Sequence, residues 1–219
     1  FYRTLWVPRQ SRFAYSSHDT IPIEAGPLLG ATDAAALVRA FTYPDTEFRL
    51  ASLGIRYVIV PFDPYGEIFQ ENRTYSSKKR AETVAVLDAI PWITRIRSDD
   101  VAIYKTRISN DHFWLNQGVV AGVDRVSDGI YEVTVSTAQP ATLFFSESYH
   151  PGWIARINGR HIKAEKKPFG IISFDLPETG VRQITVEFYP RYVFIIGFII
   201  SAVLFVLFFG YHILWILKK

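Results

Sequence analysis

The 219-residue chain contains no cysteine, so it has neither a disulfide framework nor a thiolate to serve as nucleophile or metal ligand. That absence is compatible with an exported domain made without disulfides. Its five histidines, His18, His112, His150, His161 and His212, are scattered, and no two share the i, i+4 spacing of a helical zinc pair. There is no Gly-x-Ser-x-Gly elbow, no phosphate-cradling glycine loop and no dinucleotide fingerprint. Ser16-Ser17-His18-Asp19 contains the residue types of a catalytic triad, but sequence neighbours rarely face one another as a triad requires. Excess charge is lacking too. Residues 191–219 hold three of the 24 basic residues and none of the 21 acids, which leaves the first 190 residues with 21 of each. The pI near 9.0 therefore reflects the flanks of the apolar tail rather than a nucleic-acid surface. The one basic run, Lys78-Lys79-Arg80, reads as the solvated start of a helix. The chain opens on Phe1 rather than Met, with nothing like a signal peptide behind it, and is expected to be a fragment of a longer protein.

What is present in quantity is hydrophobicity at one end. The 26 residues from Tyr192 to Leu217 include no Asp, Glu, Lys or Arg. At about 1.5 Å per residue they span roughly 39 Å, more than the ~30 Å hydrocarbon slab of a bilayer. A soluble core helix is rarely apolar on every face for so long. Tyr189, Tyr192, Tyr211 and Trp215 fall near the two ends, where amphipathic rings settle at an interface. Residues 191–219 are thus expected to be a transmembrane helix with a short basic tail. Lys218 and Lys219 outvote Arg191 and put the C-terminus in the cytoplasm, with residues 1–190 outside it.

Upstream, the first thirty residues mix aromatics, arginines and three prolines with no clean period, and read as an irregular, ligand-facing loop. Thr32-Asp33 offers an N-cap for a helix over Ala34–Phe41. A second short helix over Thr46–Leu53 stops at Gly54. Ile55–Val60 is a β-branched run ended by Pro61, the pattern of a buried strand. Pro61–Ser77 reads as loop. Lys79–Ile90 carries a helical stripe of Ala81, Val84, Ala85, Leu87 and Ala89, and Pro91 ends it. Trp92–Arg97 and Val101–Thr106 form a hairpin about Ser98-Asp99-Asp100. Residues 1–115 therefore predict a small extracytoplasmic α/β unit.

The character changes near Asn116-Gln117-Gly118. Tyr131, Val133 and Val135 share one face, as do Leu143 and Phe145. Trp153, Ala155 and Ile157 lead into Asn158-Gly159, the strongest two-residue hairpin signal, and the chain returns through Ile162. Ile172, Phe174 and Leu176 alternate again, and Ile184, Val186 and Phe188 form a last strand. Six or seven strands without a helix make residues 116–190 an antiparallel β-sandwich. The fold class is α+β: the small α/β unit, the sandwich and one C-terminal transmembrane helix.

The densest constellation of chemistry-bearing residues is Ser146-Glu147-Ser148-Tyr149-His150-Pro151-Gly152-Trp153. Sugar sites set an aromatic face against the C–H side of the ring and polar groups at its rim. Glu147, Tyr149 and Trp153 supply those types. The competing reading is a type II turn at Pro151-Gly152 with Trp153 inward, in phase with Ala155 and Ile157. Asn72-Arg73-Thr74 matches a glycosylation sequon of little weight.

The same run, followed by Asn158-Gly159 and a strand leading into the membrane, resembles the C-terminal region of the YfhO-like bacterial membrane proteins. Leu53-Gly54-Ile55-Arg56-Tyr57-Val58-Ile59-Val60 is similar to a second motif of that family, and both occur in the family's order. The resemblance could cover most of residues 30–217. It implies a many-spanning parent in the bacterial cytoplasmic membrane, related to the GT-C glycosyltransferases, which draw sugars from polyprenyl-phosphate donors. The acidic catalytic residue of those enzymes lies in an early loop absent from this sequence, so no catalytic residue carries over. The opening loop matches the family least, and no substrate contact is assigned to Arg3, Arg9, Arg12 or Tyr15. The expectation is an accessory domain that binds acceptor or substrate, with no cofactor, metal or nucleic acid of its own. Its partners would be the lipid bilayer, the parent's upstream membrane helices and a glycan acceptor. The alternative is a stand-alone, membrane-tethered binding or scaffold protein of the cell envelope.

Overall fold

The computed structural model describes residues 2–7, 20–31, 36, 39–61, 77–98 and 101–217. The Ala34–Phe41 helix lies largely outside these residues. The Pro61–Ser77 loop with its sequon, the 16–19 triad types, Arg9, Arg12, Tyr15, Asp99, Asp100 and the two terminal lysines also lie outside them. The chain divides into two compact units. The first comprises residues 1–114, 144–148 and 167–171; the second comprises 115–143, 149–166 and 172–219. Two short segments that the linear reading placed in the β-domain thus belong to the first unit.

The first unit is built on a five-stranded sheet of order β2-β1-β3-β5-β4. Its strands are β1 (Tyr2–Trp6), β2 (Thr20–Glu24), β3 (Ile55–Pro61), β4 (Ile93–Ser98) and β5 (Val101–Thr106). β1 runs parallel to both β2 and β3, while β3–β5 and β5–β4 are antiparallel. The sheet is therefore mixed, and its middle strand is the β-branched run foreseen at Ile55, whose Ile55, Val58 and Val60 are fully buried. Each such side chain contributes roughly 1.5–3 kcal/mol when taken from water.

The irregular opening loop is corrected. Tyr2–Trp6 and Thr20–Glu24 are strands. The β1 text lacks period-2 alternation because Arg3 and Thr4 are buried together with Leu5, and in β2 the alternation of Ile21 and Ile23 is interrupted by Pro22. Pro22 sits on β2, an outermost strand where a missing N–H does no harm to the ladder.

Among the described residues, α1 (Ala25–Leu29), α2 (Thr46–Ser52) and α3 (Ser77–Asp88) accompany this sheet, and Ala36, Arg39 and Ala40 are also helical. α2 ends as expected at Gly54, whose φ of +70° is the left-handed value of a helix stop. On α3 the buried positions are Thr83 and Leu87, followed by Ile90, while Ala81, Ala85 and Ala89 face solvent. The stripe read from the sequence thus holds at Val84 and Leu87 and fails at its three alanines, because a methyl offers too little area to orient a helix against a leucine. Leu87, Phe41, Leu50, Trp92 and Tyr104 complete the core, with Phe41 stacked on Trp92 at 6.0 Å.

The second unit is a β-sandwich. One sheet has the order β11-β10-β14-β8-β7 and the other β12-β13-β9-β6. The strands are β6 (Phe113–Leu115), β7 (Val119–Ser127), β8 (Ile130–Thr137), β9 (Ala141–Phe145), β10 (Trp153–Ile157), β11 (Arg160–Lys163), β12 (Glu165–Lys166), β13 (Ile172–Leu176) and β14 (Gly180–Phe188). Phe113 and Trp114 of β6 and Phe144 and Phe145 of β9 are grouped with the first unit. In the first-named sheet each neighbouring pair is antiparallel. The inward sets are those of the sequence reading: Tyr131, Val133 and Val135 on β8, Trp153, Ala155 and Ile157 on β10, and Ile184 and Val186 on β14. Asn158 and Gly159 both have positive φ, 48° and 78°, as a type I′ turn demands. A single 3-10 turn at Pro168–Gly170 interrupts the helix-free stretch.

The type II turn at Pro151-Gly152 is corrected. A turn does form there, with Trp153 N–H donating to the His150 carbonyl at 3.1 Å, but Gly152 does not have the positive φ of that type. Glycine is needed for space instead. A Cβ there would lie 2.5 Å from Cδ and Cγ of Pro190. Pro190 opens α4 (Pro190–Leu217), a helix whose stretch Pro190–Gly210 has a mean hydropathy of 2.9 and is unburied, long and apolar enough to cross a membrane.

Candidate functional site

The sugar-type constellation is divided between the two units. Glu147 belongs to the first, and Tyr149 and Trp153 to the second. Trp153 is 9% exposed, tilted against Phe188 at 5.1 Å and Tyr131 at 6.4 Å. Its faces are core surface, in keeping with the turn-plus-core alternative. Tyr149 is half-buried.

Glu147 is a partner of Arg3. The Arg3 guanidinium donates to Glu147 Oε1 at 2.7 Å, to the Leu53 carbonyl at 3.0 Å and to the Ser146 carbonyl. His112 joins the group: its Nδ1 lies 2.8 Å from Ser146 Oγ, and its Nε2 lies 3.7 Å from Glu147 Oε1. A serine, a histidine and a carboxylate thus come together as three residue types of acyl transfer. Ser146 is only 2% exposed, however, and His112 is equally buried. Nucleophilic attack needs a substrate carbonyl within about 3.5 Å of the hydroxyl, and a sealed hydroxyl has no room for one. What the cluster does is fasten. It ties β1 to residues 50 and more than 140 positions away in sequence, using a cation that cannot be deprotonated. Sequence reading named Ser146 and Glu147 but not Arg3 or His112 as their partners, since nothing local links them.

A second polar group stands where the sandwich meets α4. Glu187 is 2% exposed, accepts from the Tyr192 hydroxyl at 3.0 Å and is paired with Arg156. Arg191 donates to Ser127 Oγ at 2.5 Å and to the Asp128 carbonyl at 3.1 Å. Tyr189 N–H donates to the Gly152 carbonyl at 2.8 Å. These contacts, with Pro190 packed on Gly152, continue the hydrogen bonding of β14 into the first turn of α4.

In the first unit, burial and then the Asp88 carboxylate hold the Tyr104 phenol well above its usual range, and its hydroxyl donates to Asp88 Oδ1 at 3.0 Å. A phenol so held is a core hydrogen-bond donor, not an acid for chemistry near neutral pH. Among the described residues no three His, Asp or Glu side chains come together as a metal ion would require.

The second unit also contains a cavity of about 280 Å³. Val135, Ile157, Ile162, Leu176 and Ile184 make its floor, and Arg160, His161, Glu178 and Arg182 stand at its mouth. It opens at the end of the sandwich that carries the Asn158-Gly159 turn and the β13–β14 turn. No motif announced it, because its residues are ordinary sandwich positions that converge only in three dimensions. No family model matches the chain, and no similar curated protein or solved structure was found.

Proposed function

We propose that this chain is the extracytoplasmic, membrane-anchored C-terminal module of a bacterial GT-C-like glycosyltransferase, binding acceptor or substrate rather than making or breaking bonds. The observation that supports anchoring is the junction of Glu187, Tyr192, Arg156 and Arg191, which joins a soluble sandwich to a helix of membrane length. The resemblance of the Ser146–Trp153 and Leu53–Val60 motifs to YfhO-like proteins supplies the glycosyltransferase part of the reading. The polyprenyl-phosphate sugar, the catalytic carboxylate and the upstream helices all belong to the parent. Residues 1–190 face outward from the cytoplasmic membrane, and the two lysines stay in the cytoplasm.

The gene upstream of Phe1 tests the parentage. About ten further spans agree with the proposal. A start codon and signal peptide immediately before Phe1 replace it with the tethered envelope protein. Sidedness is tested by fusing reporters after Lys219. One that works only in the cytoplasm should be active there, and activity of an export-dependent reporter instead would reverse the orientation. The purified chain, given polyprenyl-phosphate sugars and envelope acceptors, should yield no product above a protein-free blank. Turnover that is lost on changing one carboxylate would overturn the accessory role.

A further inference from the structure

The cavity of the second unit has the make-up of a ligand site, and its chemistry restricts what it takes. The floor is aliphatic throughout, with no ring to stack on a sugar and no buried carboxylate or amide to read hydroxyls. Its size, about 280 Å³, lies just below the ~300–1,000 Å³ of most small-molecule sites. A dry cavity of ~150 Å³ already admits benzene, so this one has room for a hydrocarbon chain of about six to eight carbons.

The charges at the mouth are not equivalent. Glu178 is held by Arg182 through Oε2 and lies 3.5 Å from Arg160 through Oε1. The rest of the Arg182 guanidinium donates to the Thr179 carbonyl. Asp175, also at the rim, accepts from the Thr142 hydroxyl at 3.0 Å. Glu178 and Arg182 are thus paired with each other, whereas Asp175 meets a neutral hydroxyl and keeps its charge. Arg160, with its side chain 81% exposed, keeps donors free beyond its long contact to Glu178, and His161 beside it is exposed. Free cationic donor capacity at this mouth therefore lies on the Arg160–His161 side, apart from the Asp175 carboxylate on β13.

Place narrows the source. Arg182 and Ile184 line the cavity from the first half of β14, whereas α4 follows the strand's other end. From Arg182 to Phe188 the strand rises roughly 20 Å at ~3.3 Å per residue. The cavity thus lies along β14 away from the residues at which α4 would enter a bilayer, which favours a soluble ligand over a lipid.

We propose that this cavity binds a soluble anionic amphiphile, a short unbranched or branched aliphatic chain carrying one carboxylate or comparable anion. The chain lies on Val135, Ile157, Ile162, Leu176 and Ile184, and the anion is met by Arg160 and His161. The proposal does not depend on the glycosyltransferase reading. It concerns a different part of the molecule and survives if the parentage is wrong.

The test uses the full chain in nanodiscs of neutral lipid, with isoleucine methyl groups labelled for NMR and hexanoate and hexanol as probes. Hexanoate should shift Ile157, Ile162 and Ile184 saturably and leave the first-unit core residue Ile55 unmoved. Ile162→Trp, which fills the half-exposed side of the floor, should abolish the shifts. Arg160→Glu should weaken hexanoate about threefold, the effect of one exposed ion pair, and leave hexanol unchanged. Arg160 is exposed enough that this variant remains folded and decisive even if Ile162→Trp is not. The absence of saturable shifts overturns the site. Shifts that persist in folded Ile162→Trp place binding elsewhere and overturn it too. Equal responses of hexanoate and hexanol to Arg160→Glu overturn the anionic head.

Discussion

The two units hold themselves together in different ways. In the second, strand neighbours are often sequence neighbours, and the pairs β7–β8 and β10–β11 are closed by two-residue turns of the type glycine permits. Its polar groups are mostly outward, and its core follows the alternation of each strand. In the first unit the edge pair β1–β2 is parallel, and β1 reaches its other partner β3 about fifty residues later. There a buried cation, Arg3, joins a carboxylate and two carbonyls. One region is assembled from local geometry and apolar faces, the other around a long-range polar clamp. Local closure is cheap in chain entropy and tolerant of single changes. A buried ionic clamp is specific but exposes the fold to the loss of one side chain.

That contrast predicts its largest effect at Arg3. Removing one partner of a buried pair leaves the other uncompensated. Glu147, 28% exposed, keeps some water, so the loss belongs at the lower end of the usual range. Arg3→Ala should cost the first unit about 3 kcal/mol, read from the hydrogen exchange of β1 and β3 amides in the intact chain. Arg160→Ala, on the exposed rim of the second unit, should cost less than about 0.5 kcal/mol. Similar losses for both would remove the distinction between the units.

Next in size is Gly152, where the sandwich and α4 meet. A Cβ there would press on Pro190 at 2.5 Å, and relieving such overpacking typically costs about 1–3 kcal/mol. Gly152→Ala should therefore lower the melting temperature of the second unit and speed exchange of the Tyr189 amide. An unchanged amide would mean that Pro190 does not pack on this turn. Gly159→Val, at the Asn158-Gly159 hairpin, meets no atom within 4 Å and should suffer only from its φ of +78°, about 1–2 kcal/mol. Thr179→Val in the following turn should be milder, since Thr179 is not among the residues of positive φ. Equal shifts for these two variants would deny the type I′ turn.

The same contrast accounts for what could be read from residues alone. The sandwich was legible because alternation at Tyr131, Val133 and Val135, or at Trp153, Ala155 and Ile157, is a property of a few adjacent letters. The long apolar helix α4 was legible because length without charge leaves few other structures. The opening strands were not, since Arg3 looks like a surface residue until Glu147 and Leu53 are brought to it. The alanines in the α3 stripe misled for a related reason: which face a helix buries is decided by its larger side chains, here Val84 and Leu87. At Gly152 the right residue was given the wrong reason, φ in place of space. The cavity between β8, β10, β11, β13 and β14 left no trace in the text, because no two of its mouth and floor residues form a motif.

The smallest and sharpest test concerns a strained residue that neither alternation nor turn statistics would nominate. In Lys167-Pro168-Phe169-Gly170 the Gly170 N–H donates to the Lys167 carbonyl at 3.2 Å, with Phe169 at φ 63°, ψ 12°. That is the third position of a type II turn, where glycine is the usual occupant. The ring is held by Phe48, edge-on at 6.1 Å, and by the Arg49 guanidinium 5.6 Å from its centroid. Truncation to alanine and to glycine removes both contacts equally, so those losses cancel in the comparison. What remains is the left-handed backbone, which costs an alanine about 1–2 kcal/mol and a glycine almost nothing. Phe169→Gly should therefore be more stable than Phe169→Ala by about 1 kcal/mol in denaturant unfolding. The usual advantage of alanine over glycine would be inverted. If alanine proves the more stable, residue 169 is not left-handed in solution. Among the described non-glycine residues, positive φ would then remain at Asn158 alone, in the second-unit hairpin where the letters already announced it.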